Sequence, residues 1–150
     1  MGNIFYNLHE CLGFMTITTN RKMGALLHRK MKQADVHLTS EQWGILAQIW
    51  NQKNLTQEEL AYASCVDKST MSRALRHMER NGLIARHVDP ADARRKILRS
   101  TPKADMLKDR SAAVAREVLA LALENVGPAD RATALRVLMK VKENLRRHSG

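Results

Sequence analysis

The side chains best equipped for chemistry are concentrated between Asp67 and Ile84. Ser69, Thr70, Ser72, Arg73, Arg76 and His77 supply hydroxyl, guanidinium and imidazole groups, and Met71, Leu75 and Met78 recur among them at i, i+4 and i+7. That spacing predicts a helix with one apolar stripe and one polar, basic face. Asp67 is placed to cap its first turn, and Gly82, after Asn81, to end it in a left-handed conformation. The chemistry on offer is recognition rather than bond-making. Guanidinium forks match the paired acceptors of a guanine edge, and hydroxyls or imidazole reach base edges and phosphates. An ordinary amphipathic helix with a solvated basic face has the same spacing, so the helix alone leaves both readings open.

A second cationic cluster, Arg94, Arg95 and Lys96, ends the turn-forming run that starts at Asp89-Pro90. Leu83 to Val88 and Lys96 to Ser100 are short and β-tolerant, which predicts a hairpin with the arginines at its tip. Arginines on a narrow tip suit a minor groove, where A·T-rich narrowing concentrates negative potential. Arg86 and Lys103 read either as further phosphate contacts or as solvated surface. Catalysis has little to stand on, because the sequence has no phosphate-cradling glycine motif, metal motif or nucleophile elbow. Cys65, just before the recognition helix, and His77 both fall in the helix–turn–helix, where packing explains them, and Cys65 is expected in the core. His9 with Cys11, or His28 with His37, lacks tight metal-ligand spacing. No metal, no cofactor and no enzyme activity are expected.

These groups need elements to position them. Asn3 to Ala34 reads as one long helix on the stripe Leu8, Cys11 or Leu12, Met15, Met23, Leu26, Leu27 and Met31, with a weak patch from Thr16 to Asn20. Thr39 with Gln42, and Thr56 with Glu59, form capping boxes that start two shorter helices. Trp43, Leu46, Ala47 and Trp50 are the expected inward face of the first, Leu60 and Ala63 of the second. Thr101-Pro102 starts a further helix expected to run to about Glu124, with Met106, Leu107, Val114, Val118, Leu121 and Ala122 inward. A last helix carries Leu135, Leu138, Val141 and Leu145. Leu119 to Leu123 is apolar almost all round, which predicts burial on several sides.

The predicted fold is mainly α with a small β-hairpin wing. A winged helix–turn–helix lobe (38–101) is flanked by N- and C-terminal dimerisation helices (1–37 and 102–150) in a single domain of 150 residues. A symmetric dimer would cover the surplus apolar surface and set two recognition helices about 34 Å apart, one DNA turn. The formal charge of +10 favours a polyanionic partner. The absence of stacking aromatics near the basic helix argues against single-strand binding. Two cysteines make no disulfide framework, and no leader or membrane-spanning run is visible, so a cytoplasmic protein is expected.

The motifs resemble the MarR family of bacterial transcriptional regulators, which are winged helix–turn–helix dimers. The matching pieces are Leu38-Thr39-x-x-Gln42-Trp43, Leu55-Thr56-x-x-Glu59-Leu60-Ala61, Asp67-x-Ser69-Thr70-x-Ser72-Arg73 with Glu79-Arg80-Asn81-Gly82-Leu83-Ile84, and Asp89-Pro90-x-Asp92-x-Arg94. Ser100 stands where the family has Leu, and Ala104 where it has Gly. The resemblance implies a dimer joined through the first and last helices, the Asp67–Asn81 helix in a major groove, and Arg94 in a minor groove held by Asp92. It implies a repressor of a pseudo-palindromic operator released by a small ligand. Thr16, Thr19 and Trp43 are the candidate cleft residues. Two alternatives stand beside it: a thiol sensor using Cys11, which otherwise is an apolar member of the Leu8–Met15 stripe, and a basic dimer that binds nucleic acid without sequence preference.

Overall fold

The computed structural model describes residues 7–149. A single 3₁₀ turn, Leu8–Glu10, precedes α1 (Leu12–Gln33), α2 (Ser40–Asn51), α3 (Gln57–Ser64), α4 (Lys68–Arg80), β1 (Ile84–Val88), β2 (Lys96–Ser100), α5 (Pro102–Asp105), α6 (Lys108–Ala122) and α7 (Pro128–Arg147). The chain forms two compact units, Met1–Val118 and Leu119–Gly150.

The first unit has a continuous core of Leu27 and Met31 from α1, Ile45, Leu46 and Ile49 from α2, Met71, Leu75 and Met78 from α4, and Val114 and Val118 from α6. Both capping boxes form. The Thr39 hydroxyl accepts from the Gln42 amide and the Thr39 amide donates to the Gln42 side chain; Thr56 and Glu59 do the same. β1 and β2 pair antiparallel with Ile84 opposite Ser100 and Val88 opposite Lys96. The Leu98 amide donates to the Leu55 carbonyl (2.8 Å), which fastens the hairpin to the segment before α3.

Several expectations are corrected. The first helix is not continuous from Asn3: Cys11 is extended (φ −81°, ψ 111°), so α1 starts at Leu12, while residues 3–6 lie outside the described residues. The Thr16 and Thr18 hydroxyls donate back to the Leu12 and Phe14 carbonyls, which lets the polar patch stay helical. Leu8, Leu12 and Met15 of the predicted stripe are exposed in the single chain. In α2 the buried face is Ile45, Leu46 and Ile49, with Trp43 and Trp50 at its margins, because α2 packs against both α1 and β2. In α3 the buried pair is Leu60 and Ala61, not Ala63, since that short helix touches both α4 and β2.

Cys65 is exposed, not core. It ends α3 in a left-handed conformation (φ 53°), its amide closing on the Ala61 and Tyr62 carbonyls, and that cap points the chain outward. The helix expected from Thr101 to Glu124 is two. α5 is one buried-Ala104 turn whose Asp105 is held by Trp50 and Ser100, and α6 restarts after Met106-Leu107. Along α6 the buried residues are Ser111, Val114 and Val118, whereas Met106 and Leu121 are exposed.

In the second unit the Leu119–Leu123 stretch is largely exposed in the single chain, and α7 has no buried residue. Leu135, Leu138 and Leu145 form an open apolar face, with Val141 half-buried.

Candidate nucleic-acid interface

α4 exists because its two faces are solved separately. Met71, Leu75 and Met78 are buried, and Gly82 (φ 69°) ends the helix where only glycine is unstrained. At the start, Asp67 is an N-cap with three donors. Its Oδ1 accepts from the Thr70 amide (2.8 Å) and the Ser69 hydroxyl (2.6 Å), and its Oδ2 from the Thr70 hydroxyl (2.7 Å). The hydroxyls of Ser69 and Thr70, followed by the Thr70 amide, hold the carboxyl far below the usual carboxylate range. The consequence for recognition is specific. Both hydroxyl protons are committed to Asp67, so Ser69 and Thr70 retain acceptor capacity but no donor for a phosphate oxygen.

Ser72 is half-buried, whereas Arg73 and Arg76 are exposed and make no hydrogen bond or ion pair among the described residues. His77 Nε2 lies 3.1 Å from the Asn81 side-chain amide. Lys103 donates to the Asn81 carbonyl (2.7 Å), so it closes the C-terminus of α4 instead of standing free. Arg86 is neither a free cation nor solvated surface. It donates to Glu79 on α4 (3.1 Å) and to Gln57 on α3 (2.6 Å), joining both helices to β1.

The wing separates its two arginines. Asp89 and Asp92 each accept from a backbone amide two residues on, at Ala91 (2.9 Å) and Arg94 (3.0 Å), which folds the tip. Arg94 projects with a side chain 94 % exposed, its Nε 3.5 Å from Asp92 Oδ1. Arg95 turns back: it donates to Glu59 (3.1 Å) and lies 3.9 Å from Asp89. Glu59 therefore serves two tasks. Its capping of Thr56, helped by Arg95, lowers its pKa. Lys96 is exposed at the first position of β2.

The other candidates lie apart. The Thr16 hydroxyl is spent on the Leu12 and Gly13 carbonyls, and Thr19 is exposed. The indole Nε1 of Trp43 is buried with no hydrogen-bond partner among the described residues. Cys11 is a half-exposed free thiol at the N-cap of α1. His37 pairs with Asp35 (3.0 Å), and His28 and His37 line one shallow groove. Two features escaped the sequence. Arg86 as a strut and Glu59 as an anchor for Arg95 both join residues far apart in the chain. The only signal was that each carries charge on a predicted half-buried element.

A helix presenting free guanidinium groups beside a hairpin with one projecting arginine defines a winged helix–turn–helix. The comparisons agree. The MarR family model matches residues 38–96. A protein of Thauera aromatica named as a transcriptional regulatory protein for the hcr operon is 40 % identical over 60 residues, which is 40 % of this chain but only 36 % of that protein. The repressor NicR of Pseudomonas putida is 24 % identical over 141 residues, covering 94 % of this chain and 88 % of NicR. The S. aureus MepR–DNA complex superposes with a TM-score of 0.78 at 25 % identity, covering 93 % of this chain and 99 % of MepR. Residues 38–96 are thus similar to the MarR family, and the relatives that the chain resembles are named as transcriptional regulators. Among the described residues no helix is long and apolar enough to cross a membrane.

Proposed function

We propose that the chain is a homodimeric, cytoplasmic repressor that binds a pseudo-palindromic operator in double-stranded DNA and is released by a small ligand. The carrying observation is that Arg73 and Arg76 stand free on α4 while its opposite face is locked in the core. Free guanidinium groups on a rigid helix can fork onto guanine, with Ser72 and His77 beside them. Arg94, steadied by Asp92, enters the neighbouring minor groove, and Lys96 and Arg95 add positive potential at the wing. The open apolar faces at Leu8–Met15 and along α7 support pairing with a second copy through residues 1–37 and 102–150, leaving 38–101 to read DNA. The unpartnered indole N–H of Trp43 supports a ligand carrying an acceptor. A ligand that favours a different separation of the two lobes breaks register with successive major grooves.

The test is binding of the purified protein to its own upstream promoter fragment and to random duplex across a salt series. A preference of about 10³-fold or more, with affinity for both duplexes rising as salt falls, is expected of a specific regulator. Equal affinity for both duplexes, and for sites selected from random sequence, would overturn specific recognition in favour of a non-specific basic binder.

A further inference from the structure

On the first unit, away from α4 in sequence, a groove of about 680 Å³ is lined by Trp50, Lys53, Arg99, Ser100, Asp105 and Lys108, among others. Its volume falls within the range of sites that hold small organic ligands. The three cations come from three elements: the turn after α2, strand β2 and the first residue of α6. None of their charged side-chain groups makes a hydrogen bond or ion pair among the described residues, although most of the acidic side chains near the wing are paired.

The one carboxylate in the lining does not offset them by pairing. Asp105 Oδ1 accepts from the Trp50 indole N–H (2.9 Å) and the Ser100 hydroxyl (2.6 Å), both neutral donors. Three cations against one carboxylate leave a formal charge of +2 in one concavity. Like charges gathered without counter-charge oppose folding, and a bound dianion removes that opposition. A monocarboxylate would neutralise half of it. Trp50, half-buried and fixed by Asp105, contributes an aromatic wall on which a planar ring can pack.

We propose that this groove binds a small molecule carrying a phosphate or diphosphate group next to a planar ring. The site also reaches the DNA-binding apparatus. Arg99 sits on β2, next to Leu98, whose amide is bonded to Leu55, and three residues along from Lys96 at the wing. An anion bridging Lys53 and Arg99 joins the turn before α3 to the base of the wing.

Isothermal titration of the full-length protein with ADP, phenyl phosphate, inorganic pyrophosphate and adenosine tests this without DNA, so its outcome is independent of the repressor proposal. Saturable binding of ADP or phenyl phosphate is expected, tighter than pyrophosphate and adenosine. Arg99→Gln and Lys53→Gln should each weaken it by about tenfold, as loss of a charge-assisted contact does, and Arg99→Lys should restore most of it. Thermal melts show that each variant is folded. Absence of saturable binding by every probe, or binding that the two Gln variants leave unchanged, overturns the site. Pyrophosphate binding as tightly as ADP overturns the ring. Gln variants that weaken duplex binding while no small anion binds would make the groove a DNA-backbone contact and overturn it as well.

Discussion

α4 and α7 are both amphipathic and arginine-bearing, yet they end differently. Leu75 on α4 is 0 % exposed and its stripe is closed within its own unit. Leu138 on α7 is 41 % exposed, and α7 buries no residue at all. A helix of 20 residues keeps an apolar stripe in water only at a cost in solubility, which a second copy removes. The reading lobe is thus complete in one chain, and the arm is not. In the proposed dimer, that division would let α4 be rigid while the spacing between two copies of it stays adjustable.

The contrast breaks most visibly at those two leucines. Leu75→Ala should cost about 2–5 kcal/mol of stability, read by chemical denaturation, because the cavity forms in a closed core. Leu138→Glu should leave the unfolding of the lobe nearly unchanged but convert a dimer to a monomer in sedimentation equilibrium. An unchanged mass for Leu138→Glu would remove this stretch of α7 from the interface. Next in size, Arg73→Ala and Arg76→Ala should each lose about 1–3 kcal/mol of operator affinity and relax the preference for operator over random DNA. Equal losses on both duplexes would assign them to phosphates.

Local rules were legible where neighbours in sequence settle the outcome. The two capping boxes, the Asp67 cap, the Gly82 terminus and the wing strands need only residues a few positions apart. What escaped was set by distant partners. Cys65 sounds apolar and lies beside a core helix, but a helix C-cap turned it outward. Beside the break at Met106-Leu107, Asp105 accepts from Trp50, 55 residues earlier. Of the interface, the choice of α4 and the wing came from periodicity and turn chemistry. The commitment of the Ser69 and Thr70 hydroxyls to Asp67, and of Arg95 to Glu59, depends on side-chain geometry that spacing does not encode.

Arg94 and Arg95 sharpen the same contrast within adjacent residues. Arg94→Ala should weaken DNA binding by about tenfold without moving the melting temperature, since its only side-chain tie among the described residues is to Asp92 at an exposed tip. Arg95→Ala should do less to DNA binding. Its ion pair with Glu59 is half-exposed, so the expected loss of stability is under about 1 kcal/mol. Reversed effects, with Arg95→Ala the more damaging to binding, would mean that the Glu59 pair opens on DNA.

The smallest expected effect is at Asp67, and its sign is fixed by the cap. The carboxyl titrates lower in the folded protein than its ordinary 3.8, because Ser69, Thr70 and the Thr70 amide bond to the charged form. Its contribution is therefore complete above about that ordinary value and is lost as pH falls through the lower folded value. Asp67→Asn keeps a good N-cap but cannot titrate, so its unfolding free energy should fall less steeply than wild type between about pH 4 and about pH 2. The same variant frees the geometry at Ser69 and Thr70, because an amide presents one acceptor oxygen where the carboxylate presents two. One hydroxyl then regains a proton to donate. If DNA phosphates lie within reach of that end of α4, Asp67→Asn should bind duplex slightly more tightly at neutral pH. If affinity is unchanged, Ser69 and Thr70 serve the cap alone, and recognition rests on Arg73, Arg76 and the residues beyond them.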